Sequence, residues 1–223
     1  MMQKFDTPAP ITALIDIPAG RIQFIAADRA DTTVEVRPAN ASHTRDVKAA
    51  EQTSVAYSDG VLRIEASAKN QILGSSGSIE VTVQLPAGSQ VEAKAASAEL
   101  RGVGRLGDVT FEGSHGSVKL DETASARLAL LAGDVSVGRL GGPAEISVQK
   151  GDIRVAEATR GTVTLHTGAG EVSVGAAHGV SASLDAGTTY GRIHNSLRNT
   201  DGAAAALHIH ATTAYGDIVA RSL

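Results

Sequence analysis

Residues 133–174, GDVSVGRLGGPAEISVQKGDIRVAEATRGTVTLHTGAGEVSV, hold four copies of one short unit: a glycine, a polar residue, then two apolar residues separated by a polar one. The same unit reads GDVTF from Gly107, GSVKL from Gly116 and GDIVA from Gly216. The first apolar positions, Val109, Val118, Leu128, Val135, Ile146, Ile153, Val163 and Val172, follow one another at intervals of 9, 10, 7, 11, 7, 10 and 9 residues. A fixed internal period marks a stacked repeat. The Gly-acid form returns at about twice that spacing, through Val118, Val135, Ile153, Val172, Ile193 and Ile218. One coil therefore holds two strands and two turns.

Within each unit the apolar residues alternate with polar ones, the period of a strand with one dry face. Taking Val109 and Phe111 as inward, the same phase places Val118, Leu120, Leu128, Leu130, Val135, Val137, Ile146, Val148, Ile153, Val155, Val163, Leu165, Val172 and Val174 inside. Thr110, Lys119, Ser136, Ser147, Arg154, Thr164 and Ser173 then face solvent. Two such strands per coil of about 18 residues predict an all-β chain, a parallel β-solenoid (β-helix) rising about 4.8 Å per coil. An antiparallel sandwich has no reason to keep the 18-residue period through successive coils. Coils that lengthen around residues 185–190 and 198–205 read as corner loops.

Residues 1–90 are strand-rich but less regular, and the regular solenoid spans residues 91–223, the two forming one continuous domain. Residues 11–17, 21–26 and 32–37 alternate as strands. Residues 41–52, ASHTRDVKAAEQ, lack alternation and are either a long loop or a short helix. Ser58-Asp59-Gly60 is a hairpin turn ahead of a strand over residues 61–66. Residues 68–77 read as loop, and residues 80–85 as a strand ended by Pro86-Ala87-Gly88. The early strands supply the first coils and a cap.

Composition narrows the function. With 24 Gly, 42% hydrophobic and 3% aromatic residues, the core is built from Val, Ile, Leu and Ala. A net charge of −4 gives no basic surface for nucleic acid. No cysteine is present, which excludes disulfides, thiol catalysis and Cys-ligated zinc. The first 20 residues carry Asp6, Asp16 and three prolines and lack the apolar block of a signal peptide, and no apolar run is long enough for a membrane span. On these grounds a cytoplasmic protein is expected.

The repeated Gly-[Asp/Ser/Glu]-[Val/Ile]-x-[Val/Leu] units, preceded by a strand ending Leu85-Pro86-Ala87-Gly88, resemble the bacterial β-strand-repeat proteins grouped as putative adhesins, a domain family of unknown function. The resemblance covers about residues 11–220. It implies a β-solenoid and brings no established catalytic residues.

Two groups of side chains are candidates for metal. Ser117, Asp134, Asp152, Glu171, Arg192 and Asp217 each follow a turn glycine and stack in one column, where Asp134 and Asp152 would suit a calcium-like ion. The competing reading is turn chemistry, in which Asp caps backbone amides. His208 and His210 occupy alternate positions of one strand, so both imidazoles share a side and could hold a transition metal, against the reading of two solvent-facing histidines. The chain has no GxSxG elbow, and only the Asp134, Asp152 and Arg154 neighbourhood could work on a polysaccharide. No catalytic residue, cofactor or resident metal is assigned, and an enzyme is not expected.

After Ile218-Val219-Ala220 only Arg221, Ser222 and Leu223 remain, so the last coil in the chain is expected to present a free edge at Ile218, Val219 and Leu223. The sequence therefore reads as a non-catalytic scaffold or protein-interaction module, with self-association at that edge and a further protein partner not specified. A surface or extracellular adhesin-like binding protein and a carbohydrate-active β-helix are the alternatives.

Overall fold

The computed structural model describes residues 2–66 and 77–223, so the loop read over residues 68–77 lies outside the described residues except for Gly77. The described residues are mostly β, with one α-helix and largely parallel strand pairing. It divides into two compact units, Met1–Gly116 and Ser117–Leu223.

The first unit contains β1 (Met2–Asp6), β2 (Thr12–Ala27), β3 (Asp31–Pro38), α1 (Thr44–Gln52), β4 (Thr53–Ser58), β5 (Val61–Ala66), β6 (Ile79–Pro86) and β7 (Gln90–His115). The long strand β2 turns a corner at Gly20, whose φ of +134° and approach to the Ile79 carbonyl leave no room for a Cβ. Its first arm lies parallel between β5 and β7, its second parallel between β6 and β7. Antiparallel strands flank this centre: β3 on β6, β1 on β3, and β4 on β5. The last pair is the hairpin expected at Asp59-Gly60, where both residues have positive φ (+50° and +76°), as a tight two-residue turn requires. Residues 41–52 resolve largely as the helix α1. The buried carboxylate of Asp46 accepts the backbone N–H groups of Asn40 and Ser78 (3.1 and 2.9 Å), which ties the helix down. At β3, Asp31 is paired with Arg29 and Lys4, and these two cations hold its carboxyl down to about 2.

The second unit contains β8 (Val118–Ala132), β9 (Val135–Leu140), β10 (Ala144–Lys150), β11 (Ile153–Ala158), β12 (Gly161–Ala169), β13 (Val172–Ala176), β14 (Ala182–Tyr190), β15 (Ile193–Ser196), a 3-10 turn (Gly202–Ala204), β16 (Leu207–Tyr215) and β17 (Ile218–Ser222). These strands pair with one another in parallel, and the pairings form two stacks. One runs β8, β9, β11, β13, β17, β15. The other runs β8, β10, β12, β16, β14. The chain contributes to the two stacks alternately, as the doubled period requires.

Every residue assigned inward from Val109 to Val174 is buried, and Lys119, Ser147, Arg154 and Thr164 are exposed, with Thr110, Ser136 and Ser173 half-buried. The strand order departs from the chain order at one place. β16 and β17 insert between β12/β13 and β14/β15, so the chain's last strand is internal. The expected free edge at Ile218, Val219 and Leu223 is thereby corrected: β17 is paired on both sides, Ile218 is fully buried, and the Leu223 N–H donates to the Ala176 carbonyl (3.0 Å). The reason lies in the inward residues. β16 and β17 offer Leu207, Ile209, Ala211, Ile218 and Ala220, all buried, whereas the corresponding positions of β14 and β15 are Ala182, Leu184, Ala186, Ile193 and Asn195, the last an amide. An amide buried mid-stack without a partner costs roughly 1–3 kcal/mol, so the less apolar coil takes the end.

Ile153 lies mid-stack, paired through β11 with strands on both sides. Replacing it by Asp buries an unpaired charge and should cost about 3 kcal/mol or more, a fall in Tm of roughly 10 °C. Ser136→Asp, on the outer face of β9, should shift Tm by only a degree or two. Thermal melts of both variants check the phase; equal shifts would contradict it.

Candidate functional site

The acidic column of the second unit is built on its glycines. Gly133, Gly151, Gly170 and Gly216 have φ between +136° and +154°, a region that L side chains rarely adopt. A Cβ on Gly151 would stand 2.1 Å from the Gly133 carbonyl oxygen, and one on Gly170 would stand 2.0 Å from that of Gly151. The sharp turn and the close stacking both require glycine. The residue that follows is then set at the corner with its side chain alongside the next turn.

There the carboxylates are engaged by the backbone. Asp134 Oδ1 accepts the Asp152 N–H (2.9 Å), and Asp152 Oδ1 accepts the Glu171 N–H (2.7 Å). Further along, Asp217 Oδ1 accepts the Arg192 N–H (2.8 Å), with the Arg192 guanidinium 3.3 Å from its other oxygen. The Arg192 backbone N–H, aided by the guanidinium charge, holds the Asp217 carboxyl below the usual carboxylate range. The column therefore runs Asp134, Asp152, Glu171, Asp217, Arg192, with the last two in the reverse of chain order. Each Asp brackets the turn stacked on it.

His208 and His210 do share the outer face of β16, as their spacing implies. Each is tied to the neighbouring strand β14, with His208 Nδ1 at 2.9 Å from Ser183 Oγ and His210 Nδ1 at 3.4 Å from Asp185 Oδ2. His166, on β12, lies 2.8 Å through Nδ1 from Thr212 Oγ1. Among the described residues no group of three or more His, Asp or Glu side chains is arranged to hold a metal ion. Arg154 is exposed on β11, with Ser136 and Ser173 as its register neighbours.

Two features lay beyond the sequence reading. In the first unit, Arg21 bridges Glu99 (3.2 Å) and Glu80 (3.9 Å) in a corner cleft of about 400 Å³. Its partners lie 59 and 78 residues away, and only the pairing register brings them together. In the second unit, Tyr190 and Tyr215 stack with ring centroids 5.1 Å apart and 7° between planes, although both are mostly exposed. Each precedes a corner glycine, a position the repeat marks but whose pairing depends on the exchanged strand order.

Because Asp152 works through one acceptor oxygen, Asp152→Asn keeps that oxygen and should leave stability almost unchanged, whereas Asp152→Ala should cost on the order of 1 kcal/mol. Millimolar calcium should not move the Tm of the intact chain, since only a ligand of the folded state stabilises it. A rise of several degrees, abolished by Asp134→Asn with Asp152→Asn, would show instead that the column binds the ion.

A search of curated proteins returns no match. Among solved structures, a "putative adhesin" from Bacteroides fragilis superposes with a TM-score of 0.63 at 14% identity, over 99% of this chain and 96% of that one. A "putative cell adhesion protein" from Clostridium sporogenes gives a TM-score of 0.41 at 14% identity, over 100% and 99% of the two chains. A "putative lipid binding protein" from Parabacteroides distasonis gives 0.47 at 12% identity, over 98% and 96%. The first shares the fold of this chain. The model of the Toastrack DUF4097 family matches residues 15–218, and the chain belongs to that family.

Proposed function

We propose that the chain is a non-catalytic β-solenoid scaffold that works by binding protein surfaces, copies of itself included. The solenoid reading is supported by the two parallel stacks of the second unit, to which the chain adds one strand each in alternation, and by the two-armed strand β2 of the first unit. The observation that carries the scaffold reading is the corner column: its Asp carboxylates are held by backbone amides of the next turn, which makes them parts of the framework. The same bonds weigh against the carbohydrate-active alternative, which needs Asp134 and Asp152 turned toward a substrate. Stacked turns of this kind give a stiff support with long, regular outer faces, suited to holding partners in register.

A second reading, adhesion at a cell surface, draws on the name of the Bacteroides fragilis relative that shares the fold. Cell fractionation separates the two placements: recovery with the cytosol favours an internal scaffold, recovery with the envelope or medium favours the surface reading.

Light scattering on the intact chain at tens of micromolar tests the scaffold reading. An assembly of two or more copies is expected. A strictly monomeric chain would contradict the reading.

A further inference from the structure

The chain has three Phe and three Tyr, and four of these six side chains are covered. Phe24 and Phe111 are fully buried, and Phe5 and Tyr57 are half-buried against each other with ring centroids 5.3 Å apart. Tyr190 and Tyr215 are the exception, 65% and 60% exposed at the corner of the second unit. The backbone beneath them is fixed, since the hydroxyls of Thr188 and Thr213 donate to the carbonyls of Gly216 and Gly170 (3.0 and 3.1 Å). Aromatic surface exposed on a rigid support is a place where a ligand can stack.

Register puts the two rings in one column, the residue before each corner glycine, which runs Tyr190, Tyr215, Ala169, Lys150. The rings are stacked, with planes 7° apart and centroids 5.1 Å apart, close to the strand spacing. Each ring therefore covers one face of the other, and the second face of Tyr215 looks along the column toward Ala169. Ala169 ends at Cβ, so that face stays open. Lys150 stands one strand beyond Ala169, about 10 Å from Tyr215. A ring in van der Waals contact with Tyr215, at about 4 Å, fits over Ala169 with Lys150 on its far side.

Glu171 stands in the same turn as Ala169, across Gly170. Lys150 and Glu171 are both exposed and have no ion pair among the described residues. An ammonium and a carboxylate at one slot favour neither an anion nor a cation, and they supply hydrogen-bond donors and acceptors together. The complementary ligand has an apolar face for the tyrosine and a rim of groups that both donate and accept. A pyranose with equatorial hydroxyls meets both conditions. Its C–H bonds rest against the negative face of the aromatic ring, and its hydroxyls form the rim.

We propose that the open face of Tyr215, over Ala169 and between Lys150 and Glu171, is a binding site for one pyranose ring of a neutral glycan. Binding without cleavage accords with the engagement of Asp134 and Asp152 by backbone amides. The site adds a ligand to the scaffold and does not depend on its self-association.

The chain has no tryptophan, and two of its three tyrosines form this pair, so tyrosine emission reads the site directly. The full chain is titrated with cellohexaose, maltohexaose and xylohexaose, by emission and by calorimetry, with melts of each variant in parallel. A saturable change with at least one of the three is expected. Tyr215→Ala should weaken it about tenfold, and Ala169→Leu, which fills the slot while leaving both rings in place, should weaken it as much. Tyr57→Phe, in the first unit, should leave the Kd where it is. No saturable binding of any of the three sugars overturns the site, as does an affinity indifferent to Tyr215→Ala or to Ala169→Leu in variants whose Tm is kept. A response to N-acetyltryptophanamide and to none of the sugars would give the face to an aromatic side chain of a protein partner, and overturns it too. Each of these outcomes leaves the scaffold reading, which is read by light scattering, untouched.

Discussion

The approach of one turn to the next at the glycine corner governs the second unit. The carbonyl of Gly133 lies where a Cβ on Gly151 would be, that of Gly151 where one on Gly170 would be, and the series continues through Gly216 to Gly191. Strands about 4.8 Å apart leave no space for a side chain at that point of a sharp bend, and the positive φ independently disfavours one. Once glycine permits the contact, the carboxylate that follows can reach the next amide, as Asp134 and Asp152 do. The corner thus sets the register of every strand leaving it, and with it which residues face the interior.

Register and polarity together decide the order of the coils. The corner accepts any coil with a glycine in place, so Gly191 and Gly216 are both admissible neighbours of Gly170. The inward residues choose between them. Ala220 fits a column of Val174, Val155 and Val137 that Asn195 would interrupt with an amide, and the crossing from β15 to β16 is long enough to allow the exchange. Burial without a partner is costly, exposure at the end is not. The end of the two stacks is therefore taken by the coil least able to be buried.

Much of this was legible in the sequence, for a physical reason: parallel stacking copies local pattern into space. The alternation around Val135 and Ile153 fixed which side chains are dry, Asp59-Gly60 marked a hairpin, and Asp after a corner glycine marked turn chemistry. What escaped were facts that depend on which strand lies beside which. The period assigns β17 to a stack but is silent on its place within it, so the sequence points to an end at Ile218, Val219 and Leu223, whereas the stacks end at β14 and β15. The antiparallel strands β1, β3 and β4 follow no repeat, and the Arg21 bridge to Glu80 and Glu99 joins residues with no local signature. His208 and His210 were placed correctly on one face, yet their partners Ser183 and Asp185 come from the strand that the exchange brings alongside.

The strand exchange is most directly tested by cross-linking in this cysteine-free chain. Ser173 faces Val219 in the pairing of β13 with β17, and His194 lies one strand further on, paired with Val219 through β15. Directly paired positions stand about 5 Å apart, within reach of a disulfide, and positions two strands apart stand near 10 Å, beyond it. Under mild oxidation Ser173→Cys with Val219→Cys should form an intramolecular disulfide, and Ser173→Cys with His194→Cys should not. Efficient closure of the second pair and failure of the first would show that the coils stack in chain order and would contradict the account.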